Sequence, residues 1–316
     1  MRVLVVGASG AIGRRLVPQL IDHDHEVIGT FRSAGGAEQV RALGAKPVAL
    51  DALDARAVRS VVLETAPEAI IHQATALAHM RFSRSLDRTF AATNRLRSEG
   101  TDALLAAARE AGVRRFVAQS FASYRYERTG SMVKTEDDPL DPAPPPTARE
   151  TNAAMRHLDE AVTGAGGVAL RYGGFYGASD DALVGLVRRR FYPVVGDGAG
   201  VMSFIHLDDA AAATVLALQH EGPGLYNIVD DEPAPMREWL PELARIVGAK
   251  PPRHFPDWIA KVVAGDGMVV MATQSRGASN ARAKAELGWT PRYPSWREGF
   301  RAAYGRPADS AVTART

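Results

Sequence analysis

The sequence predicts an α/β protein: a Rossmann-type doubly wound parallel sheet with a smaller, interleaved C-terminal substrate lobe. Three observations predict it. Residues 2–6, 26–30, 46–50, 69–72, 114–119 and 168–172 are short runs rich in Val, Ile, Leu and Phe, without period-two alternation. Helix-like stretches at 12–22, 55–65 and 96–111 fall between them. A glycine triplet lies directly after the first strand. Strands without alternation are buried on both faces. Their regular exchange with helices implies right-handed crossovers and parallel pairing.

The chain has 316 residues, 46% of them apolar and 23% charged, enough for a sizeable core. Its formal charge is only +2, so no strong field recruits nucleic acid or a membrane surface. There is no cysteine, which excludes disulfides, thiolate metal sites and cysteine nucleophiles. The closest histidine pair, His23 and His25, reads as a solvated turn, and no metal is expected. The apolar start is broken by Gly7, Ser9 and Gly10, unlike a signal peptide. No run approaches the ~18 apolar residues of a membrane span, so a cytoplasmic protein is expected.

Loops are expected at Gly35-Gly36 and along the proline-rich 139–146. After Tyr172 the pattern becomes irregular. A helix at 208–219 and a strand at 225–229 follow, and Pro233, Pro235, Pro241, Pro251, Pro252 and Pro256 break the remainder into short helices. The expected division is a dinucleotide-binding domain at 1–172, completed by about 204–229, and a substrate lobe from 173–203 and 230–305. Residues 306–316 read as a flexible tail.

The triplet Gly7, Gly10 and Gly13 sits in Gly7-Ala8-Ser9-Gly10-Ala11-Ile12-Gly13 and opens the first helix. Gly7 permits the tight turn, Gly10 lets amides approach a pyrophosphate, and Gly13 brings helix and strand together. Helix-start donors around Ser9, Ala11 and Ile12 complete an anion site. At the end of the second strand stand Thr30, Arg32 and Ser33, and no carboxylate. A carboxylate would repel a 2′-phosphate, whereas a guanidinium pairs with it; the expected cofactor is NADP(H), with NAD(H) less favoured.

These residues resemble the short-chain dehydrogenase/reductase superfamily, in its extended, NAD(P)-dependent epimerase/dehydratase-like branch. The resemblance spans most of the chain: Gly7 to Gly13, Asp51-Ala52, Ile71-His72-Gln73-Ala74-Thr75, Phe116-Val117-Ala118-Gln119-Ser120, Leu170-Arg171-Tyr172, Phe204-Ile205-His206-Leu207-Asp208-Asp209 and Glu286-Leu287-Gly288-Trp289. It implies that Asp51 bonds the adenine, with Ala52 packing on the ring. Gln73, Ala74 and Thr75 would line the middle of the cofactor, Gln119 and Ser120 would lie by the nicotinamide ribose, and Tyr172 and Gly173 would approach the nicotinamide amide. Relatives often pair through their long fourth and fifth helices, so a homodimer is expected by resemblance.

One departure matters most. The family's acid–base pair is a tyrosine followed four residues later by a lysine, and those positions hold Thr151 and Met155. No tyrosine of this chain has a lysine four residues on. Another group supplies the proton, the reaction needs none from the protein, or the protein is not a catalyst. Candidates for the first are Tyr124, Tyr126 and Ser120, with Arg128 spaced from Tyr124 like the missing lysine; Lys134 and Glu136 read as solvated loop charges.

Relatives acting on sugar nucleotides carry an arginine before the Phe-Ile-His segment, where this chain has Val201-Met202-Ser203. That argues against a nucleotide-diphosphate substrate, and Arg188-Arg189-Arg190 read as solvated. Phe175, Tyr176 and Met202, together with Phe191, Tyr192 and Trp258, suggest an aromatic-lined cleft for a small carbonyl-bearing metabolite. The leading expectation is an NADP(H)-dependent reductase of a carbonyl or conjugated carbonyl. The alternatives are an epimerase, isomerase or dehydratase using its cofactor transiently, and a non-catalytic NADP(H)-binding protein.

Overall fold

The computed structural model describes residues 1–77, 83–123, 125–178 and 181–305. Its centre is a seven-stranded parallel sheet: β1 (Arg2–Val6), β2 (Glu26–Phe31), β3 (Lys46–Ala49), β4 (Ala69–His72), β5 (Arg115–Phe121), β6 (Val168–Tyr172) and β7 (Gly224–Ile228). The order is β7-β6-β5-β4-β1-β2-β3, so the winding reverses between β1 and β4. Ligands of such sheets bind outside the strands' carboxyl ends at that reversal.

The period of two in β1 divides the core. Val3 and Val5 pack with Leu16, Val17 and Leu20 of α1 (Gly13–Asp22) and with α8 (Leu207–Gln219). Leu4 and Val6 pack on the opposite side, with Val58 and Val62 of α3 (Ala55–Thr65), Leu104 of α5 (Thr101–Glu110) and Leu158 of α6 (Arg149–Gly164). Each buried Leu or Val contributes roughly 1.5–3 kcal/mol of transfer free energy.

Three local expectations are corrected. Gly36 opens a short helix, α2 (Gly36–Ala42), rather than continuing a loop; a side chain there would press on Phe31 at 2.6 Å. The long helix begins at Leu86, not residue 96, because Ser85 caps it by accepting from Arg88 N. It runs through α4 (Leu86–Arg95), a π-helical turn at Leu96–Gly100, and α5. His72, at the end of β4, bonds the Leu96 carbonyl through Nε2 (3.2 Å), the carbonyl at which the π-helical turn starts. A carbonyl only accepts, so Nε2 carries the proton, and burial pushes His72 down to about 4, keeping it neutral. Pro241 lies inside α9 (Met236–Ile246) without ending it.

The C-terminal segments add α7 (Ala182–Arg188), α10 (Asp257–Ala264), α11 (Asp266–Gln274), α12 (Ala281–Leu287) and α13 (Trp296–Tyr304). Their core holds Tyr176, Phe204, Trp239 and Phe300, which meet edge to face, with Trp296 tilted against Phe204 and Phe300. Asp230 is buried beside it, and burial raises its carboxyl to about 8. A raised acid binds its proton more tightly folded than unfolded, so stability falls as pH rises from about 4 to about 8. Asp230→Asn is therefore expected to raise Tm by about 3–6 °C at pH 8 and by little at pH 4; equal shifts at both pH values in calorimetry would count against this.

Candidate cofactor and active site

The glycine loop is a cradle that side chains would fill. Gly7 has φ +96°, and a Cβ there would sit 2.9 Å from the Ala74 amide; one on Gly13 would run into the Gly7 and Ala8 carbonyls. Gly10 closes the turn by donating to Gly7 O (3.0 Å). Arg14 N donates to Gly10 O (3.0 Å), leaving the amides of Ala11, Ile12 and Gly13 ahead of it as helix-start donors. These residues fit a dinucleotide pyrophosphate. Thr30 is corrected: it is buried, and its hydroxyl accepts from Gly7 N (3.1 Å), so it fixes the loop and does not reach outward.

On the adenosine side Arg32 and Ser33 are exposed, and Arg32 has no side-chain partner among the described residues. Arg14 folds back from α1, donating to Ser9 O (3.0 Å) and Gln39 Oε1 (3.4 Å). Asp51 is exposed, with one oxygen accepting from Leu53 N (3.0 Å), and Ala52 is buried beside it.

At the carboxyl ends of β4, β5 and β6 the structure departs from several expectations. Ala74 and Thr75 are part-buried beside the glycine loop, and Gln119 and Gly173 are buried. Tyr172 is wholly buried; its hydroxyl pairs with Thr214 Oγ1 (2.6 Å) and accepts from Gln73 Nε2 (3.2 Å), and burial pushes it up to about 12. It is a core residue, and Gln73 is tied to it. Ser120 is also wholly buried, accepting from Arg125 Nη1 (3.1 Å).

Tyr126 is corrected too. It donates to Asn227 Oδ1 (2.8 Å), accepts from Arg171 Nη1 (3.2 Å), and burial raises its pKa. A phenol so committed is a poor proton donor. Arg128 is occupied by Asp141 (3.1 Å), Gln274 (3.0 Å) and the Ala143 carbonyl (3.0 Å). Tyr124 lies outside the described residues. Lys134 and Glu136 are buried rather than solvated: Lys134 pairs with Asp138 (3.2 Å), and Glu136 accepts from Asn227 N (2.6 Å). The carboxylate thus covers an amide of β7, an edge strand.

Sequence reasoning missed the buried ion cluster behind β5. Asp159 Oδ2 accepts from Arg125 Nη2 (2.6 Å) and Arg171 Nε (2.8 Å), joining the loop after β5, α6 and β6. It also missed what surrounds Thr151. That residue is wholly buried; its amide and hydroxyl both donate to Asp87 Oδ1 (2.8 Å each), and Asn94 Nδ2 donates to its Oγ1 (3.0 Å). Met155 is buried one turn on. The first turn of α6 therefore presents neither phenol nor ammonium.

Among the described residues the aromatic side chains expected to line a cleft are dispersed. Tyr176 is buried in the aromatic core, Phe175 lies against Tyr172 (5.3 Å), and Met202 packs on that same C-terminal core, while Phe191 and Trp258 are 66% and 70% exposed. Among the described residues no helix is long and apolar enough to cross a membrane.

A parallel sheet with a glycine cradle at its reversal and helical C-terminal segments is the architecture of the extended short-chain dehydrogenase/reductase class. The NAD dependent epimerase/dehydratase family model matches residues 3–229, and the chain belongs to that family. It is 43% identical over 308 residues to a Streptomyces protein named 3-diazoavenalumate denitrifying reductase, covering 95% of this chain and 99% of that one. It is 30% identical over 263 residues (79% and 74%) to 4-hydroxy-2-methyl-3-oxo-4-farnesyl-3,4-dihydroquinoline-1-oxide ketoreductase from Stigmatella aurantiaca. Thermus thermophilus UDP-glucose 4-epimerase, solved in complex with NAD, superposes with a TM-score of 0.73 at 27% identity, over 96% of this chain and 98% of that one. The expected reductase class and the nicotinamide dinucleotide dependence agree with these relatives.

Proposed function

We propose that this protein is an NADP(H)-dependent reductase of a small, non-nucleotide metabolite whose reduction requires no proton from the protein, an arenediazonium group first among them. The observation that carries this reading is the start of α6, where buried Thr151 and, one turn on, buried Met155 stand in place of an acid–base pair. Losing such a pair would typically cost ~10²–10⁴ in rate. That loss vanishes if the chemistry does not use it. The denitrifying reductase relative supplies an acceptor of this kind.

A nicotinamide held at this site would supply hydride chemistry, the net change being an aryl C–N bond exchanged for C–H with release of dinitrogen and oxidised coenzyme. The chain's own part is to hold and orient. Gly7, Ser9, Gly10, Ala11, Ile12 and Gly13 take the pyrophosphate, and Asp51 and Ala52 the adenine. Arg32 and Ser33, with Arg14 beside them, meet the 2′-phosphate, and no carboxylate stands there to repel it. Ala74, Thr75, Gln119 and Gly173 bound the nicotinamide half. Residues 173–203 and 230–305 complete the acceptor side.

A conjugated carbonyl is the second reading, favoured by the ketoreductase name of the Stigmatella relative; its proton would come from water. Self-association through α5 and α6 is proposed by resemblance to relatives alone. The test is anaerobic turnover with NADPH against a panel of arenediazonium salts and conjugated ketones. Expected is one NADPH consumed per arene formed from the diazonium salts; oxidation of NADPH with none of the panel would overturn the proposal.

A further inference from the structure

The region that lacks a phenol and an ammonium is not neutral ground. Asp87 lies in the first turn of α4 and Thr151 in that of α6. Both helices follow strands of the parallel sheet, so both first turns stand at the carboxyl edge, where the ligand crevice lies. Asp87 is buried to 9% exposure. One carboxylate oxygen accepts from Thr151 N and Thr151 Oγ1, at 2.8 Å each. No cation pairs with it among the described residues, although buried carboxylates are ordinarily paired. Beside it Asn94, also buried, spends its Nδ2 on Thr151 Oγ1 and leaves Oδ1 without a partner. Thr151's hydroxyl proton is committed to Asp87, so the unpartnered Asn94 Oδ1 stands beside the carboxylate as a second acceptor. A buried carboxylate with no cationic partner among the described residues, beside an unpartnered amide oxygen, is complementary to positive charge.

We infer that Asp87, held by Thr151 and flanked by Asn94, is a charge-selecting residue that stabilises a cation at the reaction site. The inference rests on the proposed function in one respect: it explains why a cationic acceptor would be favoured. In reductive denitrification the positive charge starts on the diazonium group and ends on the oxidised nicotinamide ring. A carboxylate beside the crevice favours both ends of that transfer. The lysine usual in this family would oppose the cationic acceptor, and Met155 has removed it.

The experiment is equilibrium binding of NADP+ and NADPH to wild type and to Asp87→Asn, which keeps an oxygen able to accept from Thr151. The charge difference between the two coenzymes at the ring makes their affinity ratio the readout. Expected is a loss of NADP+ affinity relative to NADPH of about tenfold in the variant. An unchanged ratio overturns the inference.

A second measurement needs only the wild-type protein with NADPH bound. The trimethylanilinium cation is expected to bind at least about tenfold more tightly than its neutral isostere tert-butylbenzene. Equal binding, or preference for the neutral ring, overturns the inference even if Asp87→Asn fails to fold. Inactivity of wild type toward every diazonium salt, alongside a shifted coenzyme ratio, would overturn the proposed acceptor while leaving Asp87's charge role supported.

Discussion

Asp159→Ala is expected to destabilise the protein by about 3–5 kcal/mol, the cost of leaving buried charge uncompensated. Asp159 exposes 5% of its side chain, and its two guanidinium partners, Arg125 and Arg171, expose 1% and 4%. A single oxygen serves both, so the substitution leaves two like charges facing each other out of water. Asp159→Asn, which keeps an acceptor but loses the charge, should fall between wild type and alanine. Urea denaturation checks this through the shift in midpoint at constant slope. A loss under about 1 kcal/mol for the alanine variant would mean that solvent reaches the cluster.

The second large effect concerns the coenzyme. Arg32→Glu places a carboxylate where the 2′-phosphate would lie and removes the planar fork that would pair with it. The expected result is a rise of about 100-fold in KM for NADPH, with KM for NADH unchanged or lowered. Because Arg32 is exposed and makes no side-chain bond to the described residues, the fold should be indifferent to the change. A parallel rise in both KM values would place Arg32 outside the 2′-phosphate site.

The inner strands were legible because burial on both faces removes alternation, which a linear pattern reveals directly; the edge strand β3 is not buried. Each expected strand of the central sheet appears within two residues of its place. Boundaries failed where one residue carries two meanings. Gly36 reads as a breaker, yet it opens α2 because only glycine clears Phe31. Leu86–Arg95 is mostly polar, and its helix depends on the Ser85 cap and on packing against α6, which lies far along the chain.

The site divides in the same way. The glycine cradle is local, so spacing revealed it. The cluster of Arg125, Asp159 and Arg171 draws on three separate elements, and each member alone reads as a surface charge. Tyr126 misled for the same reason: position in a loop after β5 suggested access, whereas Asn227 and Arg171 arrive from β7 and β6 to take its hydroxyl. Asp87 gave no signal at all. Its meaning depends on Thr151, 64 residues away, donating twice to one oxygen.

Hydride delivery without a protein-borne proton is tested most directly by isotope. A single turnover with NADPH deuterated at C4, on the transferred face, and an arenediazonium acceptor in ordinary water should place deuterium at the carbon that lost nitrogen. One dinitrogen should be released per coenzyme oxidised. Protium at that carbon in ordinary water, with deuterium entering only from heavy water, would contradict the account.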